Sequence, residues 1–431
     1  MSMVADQLKK AIAHVKWGGD GRERWLTHIR TPKNYVGSAS KPELTPFDNR
    51  RICRQPARIA GARSELLRRF SGLCLPPPVP SKTEQYCIWE CPGRLNRIVL
   101  PTALLNQSIH PNFYDYHPKF VSRRSFILEI PQGSFHGHDH ALFDGGFNLV
   151  DWEPPYWALD CGLPGSMFRA RLRGRERLPG RTLVLSAPGA QSNICHFLFD
   201  LLPKIKLVED AGMRLREFDH IVIDSAQPAY VRYALDRLGL PGEKIVESEK
   251  LAFFTSDSLV HVTLGYLNPP DPWALEWLRL HLLPPGAAQV PARKLFISRE
   301  DAPSRRMHDE ASLRRELEGM GFESVIMGGI GLDEQIKLMR SASVVVAQHG
   351  AALANLVWCQ AGCKVVELFT PEYVSCRYWH LATMLKLDYS FVLGSPTQTE
   401  LPPRAVLDRK RGLINLHFAD MRPLMEAISR L

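Results

Sequence analysis

The sequence contains no long apolar run. No stretch of its 431 residues reaches the length of about 18 consecutive apolar side chains that a membrane-spanning helix needs. The first ten residues, Met1–Lys10, also lack the apolar segment of a secretory signal peptide. These two absences exclude a membrane-spanning helix and predict a cytoplasmic protein.

Cysteine pairs at metal-binding spacing are absent too. The chain has nine cysteines, and both Cys87–Cys91 and Cys359–Cys363 follow the pattern C-x-x-x-C. Neither has a matching Cys or His pair at zinc-finger spacing. His136-Gly-His-Asp-His140 is one residue short of the H-x-H-x-D-H pattern of metallo-β-lactamases, and we interpret it as a polar loop. No metal site is therefore predicted, and the cysteines are expected to be buried thiols in a reducing compartment.

Excess charge of one sign is confined to the N-terminal segment. Residues 1–70 carry 15 Lys and Arg residues against 6 Asp and Glu residues, which accounts for the net charge of +9. No aromatic interleaving or known module accompanies this charge, so nucleic acid is not an expected partner. Peripheral contact with an anionic membrane at its inner face and a solvated basic arm both stay open.

The predicted elements divide the chain into four parts. Residues 1–80 form a basic extension that ends in a proline-rich linker, and residues 81–285 form a first Rossmann-like domain. Residues 286–395 form a second Rossmann-like domain, and residues 396–431 are expected to be a loop and a helix that packs on the first domain. From residue 182 onward β-branched runs alternate with amphipathic stretches, which predicts an α/β fold with parallel sheets.

The predicted strands are Thr182–Ser186, His220–Asp224, Lys244–Val246, Ser258–Val262, Lys294–Ser298, Phe322–Met327, Val344–Ala347, Lys364–Leu368 and Tyr389–Leu393. The predicted helices are Ile194–Asp210, Ala229–Leu238, a tryptophan-containing helix between two proline-rich breaks, Asp309–Gly319, Leu332–Arg340, Cys376–Leu385 and Met421–Ile428.

The chain is organised around the end of the strand Val344–Ala347. After this uncharged strand, His349 and Gly350 lead into a helix that begins at Ala351. A helix N-terminus in this position presents backbone N–H groups and the positive end of its dipole to an anion. Gly350 lets the anion approach closely and His349 adds a directional donor. The alternative is a tight turn with a surface histidine.

Polar side chains also end two neighbouring strands. Ser298 and Arg299 end one, and Glu367 lies at the end of the other. Ligands of α/β sheets bind outside the carboxyl ends of parallel strands. There, an arginine, a histidine and a helix N-terminus can hold a diphosphate, and a carboxylate can accept both ribose hydroxyls. Singly, Arg299 fits a surface salt bridge and Glu367 a structural contact, but their common placement favours a site.

A nicotinamide-dependent dehydrogenase is disfavoured. Gly329 and Gly331 follow a strand and open a helix, but Glu334 occupies the third position of the G-x-G-x-x-G series, and no acidic residue ends the next strand.

His196 and Asp200 are four residues apart on one predicted helix and so share a face. Such a pair can act as a general base that takes a proton from an attacking hydroxyl. A buried pair that fixes helix packing explains the same spacing equally well.

Three segments together resemble glycosyltransferase family 61, a family of inverting sugar transferases. Ser192–Pro203 is similar to the family's helix with His, Asp and Leu-Pro, and Ile297–Glu310 to its Ser-Arg…Arg-Arg-x-x-Asn-Glu element. Gln348–Val357 and Val365–Leu368 are similar to its His-Gly-Ala and Val-Glu-Leu segments.

The resemblance implies a GT-B-like architecture, in which two Rossmann-like domains face each other across a cleft. The C-terminal domain would bind the nucleotide sugar without a metal or another cofactor, because basic groups stabilise the leaving diphosphate. The expected catalytic residues are Asp200, as general base, and His196, which orients it. The expected donor-binding residues are Ser298, Arg299, Arg305, His349, Gly350, Ala351, Leu353, Asn355 and Glu367. Of these, Arg299, Arg305, His349 and the amides of Gly350–Leu353 are expected at the diphosphate, and Glu367 at ribose or sugar hydroxyls.

The implied activity is that of a hexosyl- or pentosyltransferase. It would move a sugar from a UDP-sugar to a hydroxyl of a glycan or lipid-linked glycan in surface or capsular polysaccharide synthesis. Two alternatives stay open: a non-catalytic protein that binds nucleotides or glycans on the same scaffold, and a nucleotide-sugar-modifying enzyme such as an epimerase.

Overall fold

The computed structural model describes residues 81–82, 85–105, 107–114, 117, 119–122, 124–151, 175–251, 253–264, 270–284, 290–302, 306–395 and 416–431. The predicted extension of residues 1–80 and the predicted donor-site residue Arg305 lie outside this part of the chain. Within it, no helix is both long and apolar enough to cross a membrane.

The first of two large sheets is mixed. Its strands lie in the order Ile245–Glu247, His220–Ile223, Arg175–Val184, Phe253–Val262, Ser125–Pro131 and Cys87–Cys91. The first four are parallel, as the strand–helix alternation predicts, and the last two are antiparallel to their neighbours.

A hairpin extends the first sheet where the sequence predicts a polar loop. Its strands, Ser134–His136 and Ala141–Phe143, pair with each other, and the first also pairs with Phe253–Val262. His136 and His140 are only 3% and 4% exposed. The polar-loop interpretation is therefore correct only in part: residues 137–140 form the turn of the hairpin, but both histidines are buried, because apolar side chains such as Phe135 place these strands in the core.

The second large sheet is entirely parallel. Its strands lie in the order Phe322–Ile326, Arg293–Ser298, Ala342–Gln348, Lys364–Phe369, Asp388–Leu393 and Thr102–Ala103. Its five long strands are the five that the sequence predicts between residues 294 and 393. In the inner strands Ala342–Gln348 and Lys364–Phe369 the β-branched and apolar residues are buried on both faces, which is typical of a parallel strand covered by helices.

The sixth strand of this sheet comes from the predicted first domain. Thr102–Ala103 pairs with Asp388–Leu393. Close by, the ring of Phe113 packs against Phe391 and Trp379 at centroid distances of 4.8 and 5.2 Å. The predicted boundary at residue 285 therefore does not hold for this segment, whose aromatic side chains belong to the core around the second sheet.

The helices are Pro111–Tyr114, Ile194–His196, Pro203–Asp210, Ala229–Arg237, Pro272–Leu282, Glu310–Gly319, Leu332–Ser341, Arg377–Met384 and Arg422–Ser429. A π-helical turn, Phe197–Leu201, links Ile194–His196 to Pro203–Asp210, and a 3-10 helix, Ala351–Trp358, follows the His-Gly pair. Buried side chains from most of these helices form one continuous core with one face of each sheet.

The last helix, Arg422–Ser429, packs on the second sheet. Its apolar side chains Leu424, Met425 and Ile428 share a core with the other face of that sheet, including Phe296 and Val344. The expectation that it packs on the first domain is therefore wrong. The second sheet exposes two apolar faces, and this helix covers the outer one together with Glu310–Gly319.

Candidate functional site

Arg299 and Gly350 meet at the carboxyl edge of the second sheet. The strands Arg293–Ser298 and Ala342–Gln348 are adjacent and parallel, with Ile297 opposite Ala347, so the residues that follow them leave the sheet side by side. A Cβ added to Gly350 would lie only 1.6 Å from Nη1 of Arg299. The φ of Gly350 is −178°, an extended conformation open to any residue. Glycine is therefore required by the space that the guanidinium occupies.

His349 is held by a carboxylate and by aromatic rings. Its Nδ1–H donates to Oε1 of Glu367 at 2.5 Å. The ring stacks on Phe369 at 5.2 Å and contacts Tyr373 and Tyr378, each at 5.4 Å between centroids. Because Nδ1 is occupied, Nε2 is the nitrogen that can contact a ligand.

Glu367 lies in the core and does not face the sheet edge. It is 0% exposed, and its second oxygen, Oε2, accepts a hydrogen bond of 2.5 Å from the hydroxyl of Tyr389. Burial and the neighbouring carboxylate both raise the pKa of Tyr389 well above its usual value, so this hydroxyl remains a donor. The expectation that Glu367 accepts ribose or sugar hydroxyls is therefore not supported: Glu367 orients His349 instead.

Two other expected donor-site residues, Leu353 and Asn355, form hydrogen bonds within the protein. Leu353 is fully buried, and its amide donates to the carbonyl of Gly350 at 3.0 Å, which closes the first turn of the 3-10 helix. Asn355 is also fully buried, donates to Gln335 at 2.6 Å and accepts from Trp358 at 3.1 Å. Neither group faces the sheet edge. Ala351 begins the helix and is partly exposed, in the position where helix geometry provides no partner for the backbone N–H.

Ser298 is tied to a buried acid that we did not assign from the sequence. Its hydroxyl donates to Oε1 of Glu310 at 2.5 Å, and the amide of Arg299 donates to the same oxygen at 3.0 Å. Glu310 thus fixes the backbone from which the Arg299 side chain extends. The sequence could have indicated a role for Glu310, because this residue ends the Ser-Arg…Asn-Glu element and begins a helix.

His196 and Asp200 form the pair that their spacing predicts. Asn193 caps the helix by accepting from the amide of Cys195 at 2.9 Å, and the Nδ1–H of His196 donates to Oδ2 of Asp200 at 2.6 Å. Pro203 lacks the N–H for an ordinary helical bond, and the backbone widens here into a π-helical turn that contains Asp200.

The exposure of the two partners differs. Asp200 is 2% exposed and lies inside the π-helical turn, whereas the His196 side chain is 12% exposed. Gly189 lies directly against the imidazole, since a Cβ there would be 2.8 Å from Cδ2 of His196. The more exposed imidazole is therefore easier for a ligand to reach than the buried carboxylate, whereas the sequence-based expectation gave the base role to Asp200.

The two sites are brought together by Arg377, which sequence reasoning missed. The helix Ile194–His196 packs on the 3-10 helix Ala351–Trp358. Arg377, which begins a helix after the second sheet's strand Lys364–Phe369, has Nη2 3.8 Å from Oδ2 of Asp200. The adjacent Tyr378 contacts His349. The sequence-predicted base and the sequence-predicted diphosphate site thus lie on elements in direct contact.

A second buried polar cluster lies at the ends of the strands Arg175–Val184 and His220–Ile223. Asp224 accepts from the Ser186 hydroxyl at 2.6 Å and from the amide of Ala187 at 2.8 Å, while Lys204 donates to the Ser186 carbonyl at 2.5 Å. Burial, together with Lys204, lowers the pKa of His140 to about 3, so this ring is neutral beside Ser186. In the described residues no three His, Cys, Asp or Glu side chains are grouped as a metal site.

Residues 194–366 match the family model described as Glycosyltransferase 61. The match begins two residues before His196 and includes Arg299 and His349, and it suggests glycosyl transfer. A comparison with curated proteins gives no match.

Proposed function

We propose that this protein is a glycosyltransferase that moves a sugar from a nucleotide sugar to a hydroxyl of a glycan. The observation that carries the proposal is the packing of the helix that carries His196 against the 3-10 helix that follows His349, which places two histidine–carboxylate pairs on neighbouring elements. His196 with Asp200 lies beside the first sheet, and His349 with Glu367 at the edge of the second. The family match over residues 194–366 supports the same activity.

The donor diphosphate is proposed to bind at the carboxyl edge of the second sheet. Arg299 supplies a guanidinium that lies over Gly350, and His349 can donate from Nε2 when its ring is protonated beside Glu367. The first amides of the 3-10 helix, beginning at Ala351, add the positive end of a helix. Preorganised donors of this kind stabilise the charge that develops on a leaving diphosphate.

The acceptor hydroxyl is proposed to lose its proton to His196. The hydroxyl oxygen attacks the anomeric carbon, the bond from that carbon to the diphosphate oxygen breaks, and the electron pair leaves with the diphosphate. Asp200 holds Nδ1 of His196, so Nε2 takes the proton. A single displacement of this kind inverts the anomeric configuration.

The finer parts of the proposal rest on the resemblance and on charge. A GT-B-like arrangement is supported by two sheets that each contain parallel strands and share a helical core. UDP as the nucleotide and a surface or capsular glycan as the product follow from the resemblance alone. Contact with an anionic membrane through residues 1–70, at the cytoplasmic face, follows from their basic composition.

Titration with UDP-, GDP- and CMP-sugars by calorimetry, followed by assays of nucleotide release with glycan acceptors, tests the proposal. Arg299→Ala should weaken nucleotide binding roughly 10- to 150-fold, since a hydrogen bond to a charged group contributes about 1.5–3 kcal/mol. His196→Ala should keep nucleotide binding but lower turnover about 10²–10⁴-fold. Arg314→Ala, which removes an exposed arginine paired with Glu300, is the matched control.

Two outcomes would contradict the proposal. Nucleotide binding by Arg299→Ala that equals wild type would remove the diphosphate from this edge of the sheet. Tight nucleotide binding without turnover across the whole panel would favour the non-catalytic alternative.

A further inference from the structure

A buried arginine between two strands of the second sheet lies against the helical segment beside the first sheet. Arg377 belongs to the helix Arg377–Met384, and its side chain is only 10% exposed. Nη1 donates to Sγ of Cys195 at 3.0 Å, and Nη2 lies 3.8 Å from Oδ2 of Asp200. That carboxylate oxygen is the one that accepts from His196.

The second nitrogen of this guanidinium is unusual. Within the described part of the chain, Nη2 of Arg377 is buried and makes no hydrogen bond. At 3.8 Å its relation to Asp200 is an ion pair in the interior, where water does not screen it. Burial alone would lower the pKa of Arg377, but Cys195 and Asp200 raise it above its usual value, so the side chain is a permanent cation here.

Arg377 is also anchored within its own part of the molecule. Cys376, the residue before it, donates from Sγ to the carbonyl of Asn112 at 3.1 Å, and Asn112 donates to the carbonyl of Val374 at 2.8 Å. Tyr378, the residue after it, packs on His349. A shift of the ligand-binding histidine of the second sheet would therefore be transmitted to the guanidinium that faces Asp200.

We propose that Arg377 is a positioning residue that holds the His196–Asp200 pair in register with the donor site on the second sheet. Its guanidinium holds Oδ2 of Asp200 by the ion pair at 3.8 Å. Oδ2 in turn fixes Nδ1 and hence the direction of Nε2. The inference rests on the proposed role of His196 as base, and it gives a role to the cation that is buried beside Asp200.

A second cation, Lys204, also interacts with the carboxylate of Asp200. Lys204, four residues after Asp200 on the same helical stretch, interacts with both Asp200 and Asp224. Arg377 differs from it in coming from the other sheet. Arg279 supplies a matched control, because it is a partly buried arginine that donates to the carbonyl of Val357 in the 3-10 helix and to that of Cys359, the residue after this helix.

The first test uses NMR of full-length protein with ¹⁵N-labelled histidine, without substrate. In wild type, the His196 signals should show a proton on Nδ1 in a strong hydrogen bond. Arg377→Met should shift or broaden that Nδ1–H signal, Arg377→Lys should restore it in part, and Arg279→Met should leave it unchanged. An unchanged signal in Arg377→Met would overturn the inference, whether or not any sugar nucleotide is turned over.

The second test separates positioning from direct binding. With a sugar nucleotide that wild type turns over, Arg377→Met should lower kcat roughly 100-fold, the cost of a misplacement of about 1 Å, while KM and affinity for UDP stay at wild-type values. A tenfold or greater loss of UDP affinity with an unchanged His196 signal would instead make Arg377 a diphosphate ligand. If the methionine variant does not fold, Arg377→Gln and Arg377→Lys provide the same comparison.

Discussion

Replacing Gly350 by alanine is the sharpest perturbation of the proposed diphosphate site. The new Cβ would lie 1.6 Å from Nη1 and 2.8 Å from Cζ of Arg299. An ordinary contact needs about 3.5 Å, so the guanidinium must move by roughly 2 Å. That displacement removes a charge-assisted hydrogen bond of about 1.5–3 kcal/mol, and UDP should bind roughly 10- to 150-fold more weakly. The fold should tolerate the change, because the backbone at Gly350 is extended.

Calorimetric titration with UDP measures the loss, and a double-mutant cycle identifies its cause. If the methyl group acts only by displacing the guanidinium, Gly350→Ala should have no further effect in an Arg299→Ala background. Gly329→Ala is the control, since a Cβ at Gly329 meets no atom within 4 Å. The reasoning would be refuted by wild-type UDP affinity in Gly350→Ala, or by losses that add in the double variant.

Three further predictions concern the buried charges. Glu367→Gln should lower the free energy of unfolding by about 2–4 kcal/mol in urea denaturation, because its amide cannot accept from both His349 and Tyr389; an unchanged value would contradict their arrangement. Lys204→Met should cost about 1–3 kcal/mol in the same assay, since it leaves the carbonyl of Ser186 buried without its donor, and an unchanged value would contradict that contact. Burial lowers the pKa of Lys204 from 10.5 to about 8, so the unfolded chain holds this proton more tightly and wild-type stability should gain a contribution as pH rises from 8 to 10.5. Urea titrations at several pH values should show this gain reduced or absent in Lys204→Met.

His196 and His349 are held by the same arrangement of hydrogen bonds. Each imidazole donates from Nδ1 to a carboxylate that is almost fully buried, and each is more exposed than its partner. An imidazole held in this way has a fixed orientation and one nitrogen for chemistry. His196 and His349 therefore differ in their proposed roles, as base and as diphosphate ligand, because of the surfaces they face.

Local features of the site were predictable from sequence. The spacing of His196 and Asp200 places them on one helical face whatever the surroundings, and His349 and Gly350 had to leave a buried strand at its carboxyl end. The burial of Glu367 was also accessible, since the strand's period of two places it on the same face as its apolar second neighbours. Its position at the end of the strand suggests a ligand contact, whereas the direction of its side chain places the carboxylate in the core.

Only the tertiary structure decided how these elements meet. The contact between Asp200 and Arg377, the hairpin that buries His136 and His140, and the packing of Arg422–Ser429 on the second sheet all join distant parts of the chain. An apolar pattern determines which face of an element is buried, but many partner faces satisfy it equally well. The choice among these partner faces depends on how particular side chains fit together across the interface. The pattern within a single element does not contain this information.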